Sequence, residues 1–391
     1  MKKNSCISFV FMVLLGLSAQ GQSKKWTLEE CVKYAIQNNI SIKQTELDTK
    51  NAAIDRKSAV GNFLPSLNAS ASHSWNIGLN QDITTGLLQN QTTQFTSAGA
   101  NVGVDIYKGL QNQNRLRRAN LSIVATKYQL LKMQEDVALN VANAFLQVLF
   151  NKENLKVQQD QLAINQKQLV RSQELVSAGT IPRGDLLDVK ATVASDGQKI
   201  VAAENALLIS KLSLAQLLQL KEFEDFDVID DTNAKDENNI LAQSPAAIYD
   251  KAKEERTELK IAKANLEVAM KDVAIAKGAF QPTLQGFYSF NSRVSYADVP
   301  LFDPVTGQVV GTQSPPSFVD QFNDNKGHSF GAQLSIPIFN GFSARNNVER
   351  SKVSLERTKI ALEQQDLDLQ RNVFTAFSDA KGALNAHESS V

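Results

Sequence analysis

From Leu110 to Ala178 the chain contains neither proline nor glycine. Wound as one α-helix at about 1.5 Å per residue, those 69 positions (178 − 110 + 1) extend roughly 100 Å. A compact domain cannot hold such a helix, so something must support it along its length. Val141, Val148, Leu155, Leu162, Leu169 and Val176 recur every seven residues. After the turn Gly179-Thr180-Ile181-Pro182-Arg183-Gly184, Leu186, Val193, Ile200, Leu207 and Leu214 resume the same period. Sustained seven-residue spacing is the coiled-coil signal. The spacing therefore predicts helices over 110–178 and 185–220, folded back on each other around a tip at 179–184. Gln158, Gln159, Gln166, Gln168 and Gln173 flank the apolar seam, leaving it narrow and the surface polar. A free-standing two-helix coiled coil fits this pattern, and so does a curved wall of many helices lining a water-filled channel. Periodicity does not separate them.

The chain also repeats itself. Gly61-Asn62-Phe63-Leu64-Pro65-Ser66-Leu67 matches Gly278-Ala279-Phe280-Gln281-Pro282-Thr283-Leu284 at an offset of 217 (278 − 61). Val104-Asp105-Ile106-Tyr107-Lys108-Gly109-Leu110 matches Ile336-Pro337-Ile338-Phe339-Asn340-Gly341-Phe342 at an offset of 232 (341 − 109). Self-similarity of this kind defines the organisation before any motif does. Each copy reads as helix, Phe-x-Pro break, strand, loop, strand, aromatic-x-Gly break, long helix. Pro65 and Pro282 mark the entries to the strands; Gly109 and Gly341 mark the exits. The 15 extra residues of the second copy fall in 298–327, a Pro-, Gly-, Asp- and Gln-rich stretch that reads as a loop.

The predicted strands are 67–76 and 96–107, and in the second copy 283–293 and 328–339. In Ser97 to Ile106, Ala98, Ala100, Val102, Val104 and Ile106 alternate with Gly99, Asn101, Gly103 and Asp105. Phe330, Ala332, Leu334, Ile336 and Ile338 alternate in the same way. One apolar and one small polar face suit either a half-buried soluble sheet or a transmembrane barrel. Trp75, Tyr107 and Phe339 near strand ends, together with an export signal, favour the barrel. Four strands cannot close a barrel, because closure needs about eight; a barrel here would be an oligomer.

The export signal occupies residues 1–21. Met1-Lys2-Lys3 precedes an apolar stretch from Ile7 to Leu17, followed by small and polar residues, which is the layout of a secretory signal peptide. It is too short for a membrane anchor. No apolar run beyond residue 20 reads as a spanning helix. Cys31 is then the sole cysteine of the mature chain, a buried thiol in an amphipathic helix. The 41 basic and 41 acidic residues balance, so the basic excess of a nucleic-acid binder is absent. His73, His328 and His387 have no metal-ligand spacing. No phosphate loop or nucleophile motif is present, so no enzyme activity, cofactor or metal is predicted. The acidic stretch 222–236 reads as a solvated connector, within a linker over 221–244, and not as a cation loop.

Together these residues resemble the TolC-like outer membrane efflux protein family, from about Trp26 to the end of the chain. Thr27 to Asn39 is similar to the family's first helix. Phe63-Leu64-Pro65 and Phe280-Gln281-Pro282 lie at the strand entries, while Tyr107-Lys108-Gly109 and Phe339-Asn340-Gly341 match the exits. Ala178 to Leu187 resembles the helical-tip motif. The resemblance implies an α+β membrane protein. Long antiparallel coiled-coil helices would form an α-barrel, and four strands from each chain of a homotrimer would close a 12-stranded β-barrel in outer membrane lipid. It further implies a passive conduit whose tip meets a periplasmic adaptor coupled to an inner-membrane pump. Gly179, Thr180, Ile181, Arg183, Asp185 and Leu186 would then be adaptor contacts, with Asp185 also placed to cap the returning helix. The runner-up is a periplasmic adaptor, which also carries a helical hairpin. Residues 22–220 form one repeat and 245–391 a second. The distance from Gly109 to Gly179, applied from Gly341, reaches 411, so the second repeat is expected to be incomplete and the native protein longer.

Overall fold

The computed structural model describes residues 25–81, 88–221, 226–229 and 243–390. The export signal and most of the acidic stretch lie outside them. The chain divides into two compact units, each drawing on both copies.

The first unit comprises Met1–Thr49, Thr126–Ala252 and Val373–Val391. Helix α1 (Leu28–Asn38) starts at a capping box, in which Thr27 Oγ1 accepts from Glu30 N (3.3 Å) and Glu30 Oε2 accepts from Thr27 N (3.2 Å). Asn39 breaks the helix with an extended backbone. Its Oδ1 accepts from Ser41 N (2.9 Å) at the head of α2 (Ile40–Gly61), and its Nδ2 donates to the Leu217 carbonyl (3.2 Å). The first helix is thus two, joined at a residue bonded to a distant helix.

Helices α3 (Gln111–Ser177) and α4 (Arg183–Leu218) form the hairpin, within two residues of the predicted bounds. Val141 and Val148 of the heptad series are fully buried, while Leu155, Leu162, Leu169 and Val176 are half-buried. Contrary to the sequence reading, α4 is long and apolar enough over an 18-residue window to span a membrane by length and composition. Its Ala203, Ser210, Leu214, Ala215 and Leu218 are nevertheless buried in protein.

The core of this unit joins Cys31, Ala35, Ile42, Val137, Val141, Phe145, Val148, Leu214, Leu218, Phe226 and Val228. Cys31 is wholly buried, as its amphipathic setting requires. Phe226 and Val228 correct the reading of this stretch as solvated linker. Strand β4 (Asp227–Val228) pairs in parallel with β1 (Lys25–Trp26), and Phe226 packs beside Trp26 at 6.1 Å between ring centroids. Two buried apolar side chains outweigh the acidic composition around them.

The second unit comprises Lys50–Ala125 and Lys253–Asn372. Its centre is an antiparallel sheet of β2 (Ser66–Gln81), β3 (Leu88–Lys108), β5 (Thr283–Ser295) and β8 (Gly327–Ser335), in the order β2-β3-β5-β8. The first hairpin is longer than predicted, because pairing carries the strands through the Asn-, Gln- and Thr-rich segment that lacks apolar alternation. Strand β8 is shorter, ending at Ser335 instead of 339. Pro337 has no amide to donate to a ladder, and β8 is the outer strand.

The stretch 298–327 is more than a loop. It holds the hairpin β6 (Val299–Phe302) and β7 (Val309–Gln313), then helix α7 (Phe318–Asp324). Asp303 Oδ1 accepts from Val305 N (2.8 Å) and Thr306 N (3.0 Å) to close the hairpin turn, and Ser317 Oγ caps α7. Helices α5 (Pro245–Glu255) and α6 (Thr257–Lys277) lead through a 3₁₀ turn at Gly278–Phe280 into β5, and α8 (Ser343–Ser390) follows the sheet.

Candidate functional site

The sheet sorts its side chains by parity. Asn68, Ser70 and Ser72 of β2 share one face with Ser97, Gly99 and Asn101 of β3 and with Ser289, Asn291 and Arg293 of β5. On that face the Arg293 guanidinium lies over the Phe95 ring at 3.7 Å, a cation–π contact. The opposite face presents Leu67, Ile77, Phe330 and Leu334, exposed by 71%, 81%, 81% and 59%. Near the end of β5 this face is covered, with Ser292 and Val294 buried, but the apolar groups that open to solvent over the rest of it need a non-aqueous neighbour. The same face carries an aromatic cluster, with His73 Nδ1 2.8 Å from Thr96 Oγ1, Thr96 Oγ1 2.9 Å from Tyr296 OH, and the Trp75 ring edge-on to His73. His328 bonds Tyr288 OH on that face too (2.8 Å). Two of the histidines that looked scattered in sequence are thus aromatic-cluster members.

The junctions are built alike in both copies. Pro65 and Pro282 stand immediately before β2 and β5. Gly109-Leu110 and Gly341-Phe342 are both left-handed, with φ of 57° and 58° in the first pair and 62° and 64° in the second. A left-handed Leu and Phe are unusual enough to mark a constrained turn. Around Gly109, Asn112 Nδ2 donates to the Asn62 carbonyl (3.0 Å) and Tyr107 OH bonds Gln281.

At the tip, Gly179 (φ 73°) ends α3 in a Schellman motif. Thr180 N reaches Leu175 O and Gly179 N reaches Val176 O, both at 3.0 Å. Thr180 Oγ1 donates to the same Leu175 carbonyl (2.8 Å). The capping role expected of Asp185 is not what forms. Pro182 occupies the N-cap with no side-chain cap bond, so α4 starts at Arg183 and Asp185 falls in its first turn, where a carboxylate complements the helix dipole. Gly179, Thr180, Arg183 and Asp185 are exposed; Ile181 and Leu186 are half-buried. The adjacent Leu187, exposed by 64%, belongs to the tip motif but was not among the contacts assigned from the sequence.

Sequence reasoning also missed a polar layer inside the hairpin. Three residues after Val148, Leu162 and Leu169 stand Asn151, Asn165 and Ser172 on α3, and three after Val193 and Leu207 stand Asp196 and Ser210 on α4. Asn165 Nδ2 donates to Asp196 Oδ2 (2.5 Å), Lys199 Nζ lies 2.9 Å from Asp196 Oδ1, and Asn151 Nδ2 donates to the Ala206 carbonyl (3.2 Å). The Asn165 bond, then Lys199, hold the Asp196 carboxyl below the ordinary carboxylate range against the opposing effect of burial. Polar groups at seam positions specify register at some cost in stability.

Asp227 ties β4 to both arms, 2.9 Å from Lys152 Nζ and 3.0 Å from Lys211 Nζ. Burial pushes its carboxyl up, but the two ammonium groups outweigh this and hold it below the usual range. Its ionised form is therefore favoured by folding. That stability is complete above about pH 4, the unfolded-state value, and is lost as pH falls through the lower folded value. Asp227→Asn is expected to cost about 1–2 kcal/mol at pH 7. Melting curves of wild type and variant should converge as pH falls from 7 to 3; a gap independent of pH would contradict the ion-pair account.

Among the described residues, no group of three or more His, Cys, Asp or Glu side chains is arranged to hold a metal ion. Over 368 residues the chain is 23% identical to the cation efflux system protein CusC of Escherichia coli O157:H7, covering 92% of this chain and 70% of that one. It is 22% identical over 257 residues to the outer membrane protein TolC of Vibrio cholerae, covering 64% of this chain and 52% of that one. A membrane protein from Pseudomonas aeruginosa superposes with a TM-score of 0.74 at 18% identity, over 93% of this chain and 78% of that one. The CmeC outer membrane channel of Campylobacter jejuni does so with 0.73 at 16% identity, over 93% and 73%. The profile of the outer membrane efflux proteins matches residues 31–219 and 248–389, and the chain belongs to that family.

Proposed function

We propose that three copies of this chain close one 12-stranded β-barrel in the outer membrane, continued by an α-barrel of the long helices, to form a passive conduit. The observation that carries this reading is a sheet with two unpaired outer strands, β2 and β8, and one exposed apolar face. Three antiparallel steps separate β2 from β8, so the two run in opposite directions. The outer strands of two copies can therefore pair antiparallel, as every interior pair does. The apolar face meets lipid, and the Ser-, Asn- and Gly-rich face lines water. The aromatic cluster of Trp75, His73 and Tyr296 belongs at a lipid–water boundary.

The protein is an outer membrane channel of a tripartite system, with its helical part facing the periplasm. For the tip we assign Gly179, Thr180, Ile181, Arg183, Asp185 and Leu186 as contacts of a periplasmic adaptor, itself coupled to an inner-membrane pump. Support comes from the exposure of Gly179, Thr180, Arg183 and Asp185, with Ile181 and Leu186 half-buried beside them, on a turn whose shape is fixed by backbone bonds. The rival reading, that the chain is itself the adaptor, has no observation in its favour once the family is known.

Purified protein is expected to give discrete single-channel steps in a planar bilayer and to migrate as a trimer in mild detergent. Combined Arg183→Glu and Asp185→Lys should leave both unchanged while lowering export in cells at least tenfold. A soluble monomer without conductance would remove the conduit reading; wild-type export by the tip variant would remove the adaptor assignment alone.

A further inference from the structure

The two hairpins of the sheet share one register. Shifting β2 by 217 and β3 by 232 carries Ser72↔Ser97 onto Ser289↔Ser329, and Asn68↔Asn101 onto Gln285↔Gln333, all observed pairs. Each copy therefore presents the same two edges. The entry edge is the first strand with the helix before it; the exit edge is the second strand with the helix after it.

Within the chain, the exit edge of the first copy meets the entry edge of the second through three contacts. Strand β3 pairs with β5, with Asn101 opposite Ser289 and Val102 opposite Tyr288. Gly109 lies backbone to backbone against Gly278, where an added Cβ would fall 2.5 Å from the Gly109 carbonyl oxygen. Arg118 Nε reaches Asp272 Oδ1 at 2.6 Å, joining α3 to α6.

Among the described residues the opposite two edges have no partner. Strands β8 and β2 lie at the ends of the sheet. A Cβ added at Gly341 or Gly61 would meet nothing within 4 Å. Gly61 ends a helix with no positive φ, so nothing among the described residues explains a residue that weakens helices. The offsets also carry Arg118 to position 350 (118 + 232) and Asp272 to position 55 (272 − 217). Position 350 is Arg and position 55 is Asp, and neither residue was used to set the offsets. Both are exposed; Arg350 reaches Asn347 of its own helix.

We propose that the exit edge of the second copy docks on the entry edge of the first copy of another molecule of this chain, reproducing the internal contact. Arg350 then pairs with Asp55, Gly341 packs on Gly61, and β8 pairs with β2 in the register that places Leu334 opposite Ala71 (102 + 232 and 288 − 217). The contact uses two different patches, so it propagates head to tail and must close into a ring to leave no edge. It rests on the conduit reading and adds to it the residues that hold the ring together.

The test is cysteine cross-linking in outer membrane vesicles carrying the full chain, with Cys31 left in its buried site. Ala71→Cys with Leu334→Cys should convert to a reducible covalent trimer on oxidation. Leu334→Cys with Ala69→Cys or His73→Cys, each two residues out of register, should give at least tenfold less. Arg350→Glu should lose most of the SDS-resistant trimer, and adding Asp55→Arg should restore it. Stronger cross-linking at Ala69→Cys or His73→Cys overturns the register, and failure of Asp55→Arg to rescue overturns the ion pair. A wild-type protein that sediments as a monomer overturns the conduit reading as well, whereas a trimer linked in another register overturns this contact alone.

Discussion

Gly109→Val is expected to abolish the folded outer membrane form. Two effects act on the same atom. The φ of 57° places a Cβ in the left-handed region, which costs about 1–2 kcal/mol for an L-residue and more when the side chain is β-branched. That Cβ would also overlap the carbonyl oxygen of Gly278, a backbone atom that cannot swing aside. The sum is more than about 3 kcal/mol, a large share of the stability of a marginally stable protein. Gly179→Val is the control, with a left-handed φ of 73° and open space around the Cβ at the hairpin tip. It should lower the urea midpoint of the chain less than Gly109→Val does. The readouts are the urea midpoint in detergent and the yield of folded protein in the outer membrane fraction. Equal loss at both positions would mean that backbone conformation, not the approach of Gly278, makes glycine necessary at 109.

The long helices were legible because length without Pro or Gly and a seven-residue period are local properties of the chain. The sheet was half legible. Alternation placed the apolar face of β3 and β8, but the ladder beyond Asn76 and before Thr96 is set by pairing across the hairpin, not by pattern. The end of β8 could have been read from Pro337. The polar layer at Asn151, Asn165, Ser172, Asp196 and Ser210 has the same seven-residue spacing as the apolar seam. Attention to apolar residues alone hid it. Phe226 and Val228 were masked differently, since two core residues in an acidic stretch change its composition little while changing its burial entirely. Asn39 gave a helix end in sequence, but its bond to the Leu217 carbonyl depends on a contact 178 residues away, which no local pattern carries.

Leu214→Ala should be the most damaging of the simple truncations in the first unit. Leu214 is fully buried and closes the return arm of the hairpin onto Cys31, Val141, Val148 and Val228. Deleting its side chain removes the transfer free energy and leaves a cavity among β-branched neighbours that cannot fill it. Together these cost about 2–5 kcal/mol. Cys31 supplies a direct reporter, because its thiol is wholly enclosed in the same cluster. In the wild type, labelling by a maleimide should require global unfolding. In Leu214→Ala the cluster opens more often, and the labelling rate at fixed low denaturant should rise by at least tenfold, in proportion to the lost stability. Leu187→Ala, a similar truncation at an exposed tip position, should leave that rate unchanged. Equal acceleration by both variants would mean that Cys31 responds to the hairpin as a whole. Acceleration by Leu214→Ala alone would locate the stability of this unit at the base of the hairpin, where α1, α3, α4 and β4 converge.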